Sequence, residues 1–246
     1  MQLTRLARRG GLAAAACPLV LALGGGVAYA AESPPASEAL SEPGGASRWA
    51  FVARATWARS APSSTARRVA RVRTRTQDRT DELVLALERT RRDGRLWVRV
   101  RLPVLPNGTT GWVPQRALAP LRRVTTALRV NRRQLRLTLT RDGRVVFRAP
   151  VGVGQSRWPT PRGDFYVRNR LSGYGRGSAY GPVAFGLSAR SAVLTDWPGG
   201  GFVGIHGTNQ PWLLPGRVSH GCIRLRNRDV LRLDRLMSVG TPVTIR

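Results

Sequence analysis

His206 and His220, the only two histidines of the chain, fall with Cys222 inside a window of seventeen residues. The segment reads Gly204-Ile205-His206-Gly207-Thr208, then a connection containing Pro211 and Pro215, then Ser219-His220-Gly221-Cys222-Ile223-Arg224-Leu225. A thiol whose free pKa is ~8.5 becomes a useful nucleophile near neutral pH when an imidazole accepts its proton and an adjacent positive charge holds the thiolate. By residue type, His206 or His220 could serve. Gly221 lets the backbone turn so that the N–H groups of Gly221 and Cys222 can face a developing oxyanion. Arg224 lies two residues past the thiol, so on an extended strand it emerges on the same side and could fix a substrate carboxylate or support the thiolate. Such a Cys-His site performs acyl transfer. A zinc site is the competing use, but no carboxylate or fourth Cys or His sits at ligand spacing, so no metal is expected. A buried structural pair of histidines beside an inert thiol is the other alternative.

The setting of the thiol supports a reactive role. Arg5, Arg8 and Arg9 precede an apolar stretch at residues 12–23, and Ala28-Tyr29-Ala30 forms a small-x-small cleavage site before Ala31. This is the anatomy of a secretory signal peptide over residues 1–30, with an uncleaved anchor as the alternative. Cleavage would discard Cys17 and leave Cys222 as a lone thiol in an oxidising compartment, with no disulfide partner. The expected location is therefore extracytoplasmic, in the periplasm or cell wall.

With 41 Lys plus Arg, all of them arginine, against 13 Asp plus Glu, the 246 residues carry a formal charge of +28. That balance points to an anionic partner surface without choosing among nucleic acid, lipid headgroup and wall polymer. A hydrophobic fraction of 42% supplies packed cores, and no apolar run beyond the N-terminus approaches the ~20 residues of a membrane span. Wholesale disorder and a polytopic membrane protein are both excluded. No nucleic-acid motif or aromatic-basic interleaving is present, so nucleic acid is not an expected partner.

The elements that must position the thiol are strands. Residues 31–47, rich in Ser, Pro, Ala, Glu and Gly, read as a flexible linker. Short β-prone runs follow at 49–57, 66–74, 82–89, 96–102 and 111–114, punctuated by Asp93-Gly94 and Asn107-Gly108. After Pro120 a second unit begins, with strict alternation at 134–140, a turn at Asp142-Gly143, a returning strand at 144–148, and further strands at 164–167 and 241–245. The single convincing helix is at 227–237, with Asn227 as N-cap, an apolar stripe of Val230, Leu233, Leu236 and Met237, and Gly240 as the stop. No βαβ alternation and no Rossmann or P-loop glycine signature occurs. The fold class is mainly β.

Two resemblances add to this. Trp97-Val98-Arg99-Val100, then Gly111-Trp112-Val113-Pro114 with Ala117-Leu118, resembles the bacterial SH3-like modules found beside cell-wall enzymes, over residues 48–120. His206-Gly207-Thr208 with Ser219-His220-Gly221-Cys222-Ile223-Arg224 resembles the signature of the L,D-transpeptidase (YkuD-type) catalytic domain, over residues 124–246. Pro159-Thr160-Pro161-Arg162-Gly163-Asp164-Phe165 is similar to the Thr-Pro-x-Gly-x-Phe segment that precedes that signature, and Gly181-Pro182 and Gly240-Thr241-Pro242-Val243 stand where the family has them. The resemblance implies a small SH3-like barrel followed by a β-sandwich-like catalytic domain with one C-terminal helix.

The function implied is peptidoglycan L,D-transpeptidation. The thiolate attacks the carbonyl between the third residue of a stem peptide, a meso-diamino acid, and the D-alanine that follows; D-alanine leaves, and the side-chain amine of another stem takes the acyl group to form a 3→3 crosslink. Carried onto this chain, Cys222 is the nucleophile and His206 the general base and acid, with the Gly207 carbonyl orienting the imidazole. Ser219, His220, Gly221 and the backbone around Cys222 form and support the oxyanion hole, and Arg224 binds substrate. Geometry favours the same base: His220 is too close in sequence to reach Sγ in line, whereas a histidine on a separate strand can be placed freely. On this reading a thiolate-imidazolium pair depresses the thiol pKa. No cofactor is implied. The expected partners are peptidoglycan stem peptides and anionic wall polymers. Alternatives are an L,D-carboxypeptidase, attachment of proteins to the wall through the same site, or a non-catalytic wall-binding protein. The first unit, lacking Cys and His, is expected to be dispensable for the chemistry.

Overall fold

A computed structural model of the chain describes residues 37–42, 45–175, 177–194 and 200–246. The expected signal peptide lies outside them. Eight strands make up the first sheet: β1 (Ser37–Ala39), β2 (Ser47–Phe51), β3 (Thr56–Arg59), β4 (Arg68–Val72), β5 (Leu83–Arg92), β6 (Arg95–Arg101), β7 (Thr110–Pro114) and β8 (Arg122–Val124). Ten make up the second: β9 (Thr126–Asn131), β10 (Arg136–Arg141), β11 (Arg144–Pro150), β12 (Gly152–Gly154), β13 (Gly163–Ser172), β14 (Val183–Arg190), β15 (Phe202–His206), β16 (Gly216–Ser219), β17 (Ile223–Arg224) and β18 (Pro242–Ile245). The protein is mainly β, and α1 (Asn227–Leu236) is the single α-helix among the described residues.

The hairpins form where turn chemistry allows them. Asp93 and Gly94 have φ of 49° and 70°, and Asp142 and Gly143 have φ of 49° and 77°, so both loops turn in the mirror-image conformation that matches strand twist. The alternation read at 134–140 buries Leu137 and Leu139 on one face of β10 and leaves the intervening residues at the surface. The run read as one strand at 49–57 is broken in two, with β2 and β3 in different parts of the sheet order β4-β3-β7-β6-β5-β2-β8.

Three expectations need correction. The stretch read as a flexible linker contains β1, which pairs antiparallel with β5 in the register Ser37↔Thr90. Arg89 donates to Glu38 at 2.6 Å, and Leu40 is buried in the first core, so an apolar anchor and an ion pair outweigh the linker-like composition. Asn227 does not cap the helix. Arg226 occupies the N-cap position without a side-chain hydrogen bond, and the Asn227 carbonyl oxygen instead accepts the N–H of Thr208 at 2.9 Å. The helix ends at Leu236, one residue short of the expected boundary, and Met237 N–H closes the last turn on the Leu233 carbonyl.

In the second sheet the order is β11-β10-β9-β18-β13-β14-β15-β17-β12-β16. Its core gathers Leu128, Leu139, Phe147, Phe185, Ile205 and Ile223 with Val230 and Leu233 of α1. Each such side chain, fully buried, contributes about 1.5–3 kcal/mol relative to exposure. The two sheets share a third cluster in which Trp49, Leu83, Leu85 and Val124 pack around Tyr166. Tyr166 is wholly buried, and its hydroxyl donates to the Leu83 carbonyl at 3.1 Å. All described residues belong to one compact unit, Pro35–Arg246.

Candidate active site

The cysteine reaches the sheet through a tight turn. β16 ends at Ser219, Gly221 adopts φ of +116°, and β17 then inserts beside β15 in parallel, pairing Ile205 with Ile223 and His206 with Arg224. A side chain at Gly221 would be strained in that left-handed region. Two hydroxyls pin the turn. Ser219 Oγ donates to the Cys222 carbonyl at 2.6 Å and accepts the Gly221 N–H at 3.1 Å. Thr160 Oγ1 donates to the Gly221 carbonyl and accepts the Gly154 N–H, each at 2.8 Å.

The two backbone N–H groups expected to face an oxyanion are placed differently. The Gly221 N–H is already committed to Ser219 Oγ, whereas the Cys222 N–H has no protein acceptor among the described residues.

Cys222 Sγ accepts the backbone N–H of Gly204 on β15 at 3.4 Å. His206 lies two residues further along that strand, and its side chain and Cys222 line the same cavity. Its Nδ1 is 2.6 Å from the Gly207 carbonyl, which fixes Nδ1 as donor and leaves Nε2 as the ring's acceptor. His220 is held differently: its ring packs against Trp158 at 4.1 Å between centroids with the two planes tilted by 50°, and the Arg157 guanidinium lies 3.7 Å over the indole. Cys222, His206, His220, Ser219 and Arg224 all line one cavity of about 220 Å³, together with Tyr180 and Phe202.

Burial governs the charges. Desolvation pushes the His206 imidazole down to about 4, the Gly207 carbonyl opposes that shift, and the Arg224 charge adds to it. Desolvation also pushes the Cys222 thiol up, against the Gly204 N–H and the Arg224 charge. Both shifts favour the neutral form, of the thiol and of the imidazole. The neighbours anticipated from sequence are present, and removal from water is the largest influence on both groups.

Several contributors escaped the sequence. Thr160 lay within the quoted Pro159–Phe165 segment without a role assigned. Tyr180, whose ring centroid is 5.1 Å from that of His206, and Trp158 carried no spacing signal at all. Among the described residues no three His, Cys, Asp or Glu side chains assemble as metal ligands.

Comparison with known proteins bears on this geometry. Residues 125–245 match YkuD, the L,D-transpeptidase catalytic domain. YqjB of Bacillus subtilis (strain 168), named as an L,D-transpeptidase, is 32% identical over 126 residues, which cover 47% of this chain and 68% of that protein. The chain belongs to the YkuD L,D-transpeptidase family. Two proteins named YkuD, also as L,D-transpeptidases, are similar to it. That of Bacillus subtilis is 38% identical over 109 residues, covering 44% of this chain and 58% of the relative. That of Bacillus licheniformis is 40% identical over 119 residues, covering 48% and 63%. This chain thus spans about six tenths of the length of these two relatives. The matched region of the family contains β9 to β18 and every residue of the cavity.

Proposed function

We propose that the protein is an exported peptidoglycan L,D-transpeptidase working through a Cys222 acyl-enzyme. The observation that carries the reading is the placement of Sγ on the Gly204 N–H, on the strand that presents His206 with its Nδ1 tied to the Gly207 carbonyl. His206 Nε2 takes the thiol proton as Sγ attacks the carbonyl between the diamino acid and D-alanine of a stem peptide. The oxyanion is stabilised by the Cys222 N–H, collapse breaks the C–N bond, and the imidazolium protonates the departing D-alanine amine. The side-chain amine of a second stem then attacks the thioester, His206 takes its proton, and the 3→3 crosslink forms as the thiol is regenerated. Arg224 supplies a positive charge for the oxyanion or a substrate carboxylate.

Residues 1–30 act as the export signal in this reading. Residues 48–120 act as an SH3-like module that adds affinity for the wall, helped by the arginine-rich surface toward anionic wall polymers, and residues 124–246 carry the chemistry. No helix among the described residues is long and apolar enough to cross a membrane. Purified disaccharide-tetrapeptide incubated with the protein, with products read by mass, tests the proposal. A dimer lacking one D-alanine supports it. Disaccharide-tripeptide alone would make the protein an L,D-carboxypeptidase, and unchanged substrate would make it a wall-binding protein.

A further inference from the structure

Phe202 opens β15 and walls the cavity that holds Cys222, and it is gripped by two arginines that answer to the first sheet. Arg168, on β13, lies with its guanidinium carbon 4.4 Å over the Phe202 ring. The same guanidinium is paired with Glu82, from the segment just before β5: Nε donates to Oε1 at 2.7 Å and a terminal nitrogen donates to Oε2. Both side chains are buried, Glu82 at 4% and Arg168 at 7% exposure. Arg190, at the end of β14, lies 4.9 Å over the same ring and donates to the Gly200 carbonyl at 2.6 Å. Its backbone is fastened by Asn107, from the loop between β6 and β7, whose amide donates to the Arg190 carbonyl at 2.7 Å and accepts the Arg190 N–H at 3.0 Å.

Two loops of the first sheet therefore reach Phe202 through one intermediate each. Two residues beyond Phe202 is the N–H that Sγ accepts, and two beyond that is His206. A strand transmits displacement along its length, and an error of about 1 Å at a reacting group costs about a hundredfold in rate. We propose that Glu82 and Asn107 are positioning residues for the thiol site, acting through the arginine clamp on Phe202, so that the first sheet sets the geometry of the chemistry. This departs from the expectation that the first unit is dispensable. A bond that merely docked one sheet on the other would need no arginine on Phe202. A buried ion pair is moreover a costly way to gain stability alone, and an expensive one to break.

The test uses the full chain and two readouts taken at one temperature, well below the melting point of every variant. The first is the rate of Cys222 alkylation by iodoacetamide as a function of pH, which does not depend on the substrate proposed above. The second is acylation by disaccharide-tetrapeptide. Asn107→Ala should loosen Phe202 and admit water to the thiol, so alkylation at pH 7 rises several-fold while acylation falls about tenfold or more. Phe202→Leu, which removes the ring that both arginines hold, should give the same opposed pair of changes, and the double variant should be no worse than either single one.

Val98→Ala, in the core of the first sheet and fully buried, lowers the melting point by a purely structural route and should move neither readout. Unchanged alkylation profiles in Asn107→Ala and Phe202→Leu would overturn the proposal, as would additive effects in the double variant or an equal shift in Val98→Ala. If Asn107→Ala does not fold, Phe202→Leu with Glu82→Gln decides by the same criteria. Loss of acylation in every protein, parent included, with the alkylation pattern as expected would count against the substrate and leave the clamp standing.

Discussion

Replacing His206 by glutamine separates two ways of activating Cys222. In an ion pair, imidazolium holds the thiolate, and its removal raises the thiol pKa. In the structure burial pushes His206 down to about 4, so only ~0.1% of it is imidazolium at pH 7. Removing it removes almost no positive charge. The pH inflection of iodoacetamide alkylation should therefore lie above that of a free cysteine, which is ~3% thiolate at pH 7, and should stay within about half a unit in His206→Gln. Acylation should behave otherwise. In the parent it should rise as pH climbs through about 4, where the neutral base appears, and run flat through neutrality; in the variant it should fall 10²–10⁴-fold. An alkylation inflection below pH 7 in the parent that vanishes in His206→Gln would refute the neutral pair.

The same shift appears in stability, with a definite sign. The unfolded chain protonates His206 near 6.5 and the folded chain only near 4, so between those values the unfolded state binds more protons and stability rises with pH. The contribution is complete above pH 6.5 and is lost progressively as pH falls to 4. Two and a half units correspond to about 3 kcal/mol. Chemical denaturation at pH 4.5 and pH 7 should show a smaller difference for His206→Gln than for the parent.

Thr160→Val keeps the side-chain shape but strands the Gly154 N–H and the Gly221 carbonyl, so chemical denaturation should show a loss of about 1–3 kcal/mol per group, accompanied by slower acylation. Gly207→Ala would set a Cβ 2.3 Å from Asn227 Oδ1, breaking the Asn227–Thr208 bond and moving the carbonyl that orients His206; acylation should fall with little change in alkylation. Chelator should leave turnover unchanged, because Cys222 and His206 need no metal to form a nucleophile and base; zinc-restorable loss of activity would reverse that.

The candidate site was legible because its residue types are rare in this chain: two histidines and two cysteines, of which Cys222 lies close in sequence to both histidines. The hairpins were legible because Asp-Gly at a two-residue turn leaves few backbone alternatives. What escaped depends on separation and burial. Strands β14 and β15 gave no period-two signal, since β14 runs Val183 to Arg190 with most residues buried on both faces. Glu82 and Arg168 lie 86 residues apart, and Asn107 and Arg190 are 83 apart, so nothing local marks either pair. β1 was missed because three exposed residues, Ser37, Glu38 and Ala39, have no pattern of their own and owe their conformation to the edge of β5. The desolvation acting on the thiol was out of reach for the same reason: neighbours can be read from a motif, but the water they exclude cannot.

Arg224 illustrates how those unreadable terms shape the chemistry. Its charge lowers the pKa of both Cys222 and His206, favouring thiolate while disfavouring imidazolium. Proton transfer from Sγ to Nε2 depends on the difference between the two, so a cation acting on both groups largely cancels from that step. In the reaction proposed above, its charge acts without cancellation only where negative charge is not matched by a neighbouring imidazolium: on a substrate carboxylate, or on an oxyanion nearer to Arg224 than the ring is. Positioning then matters more than the charge itself. β17 fixes Arg224 opposite His206 in the sheet register, while β15 is held by the clamp on Phe202 and by the Gly204 contact to Sγ.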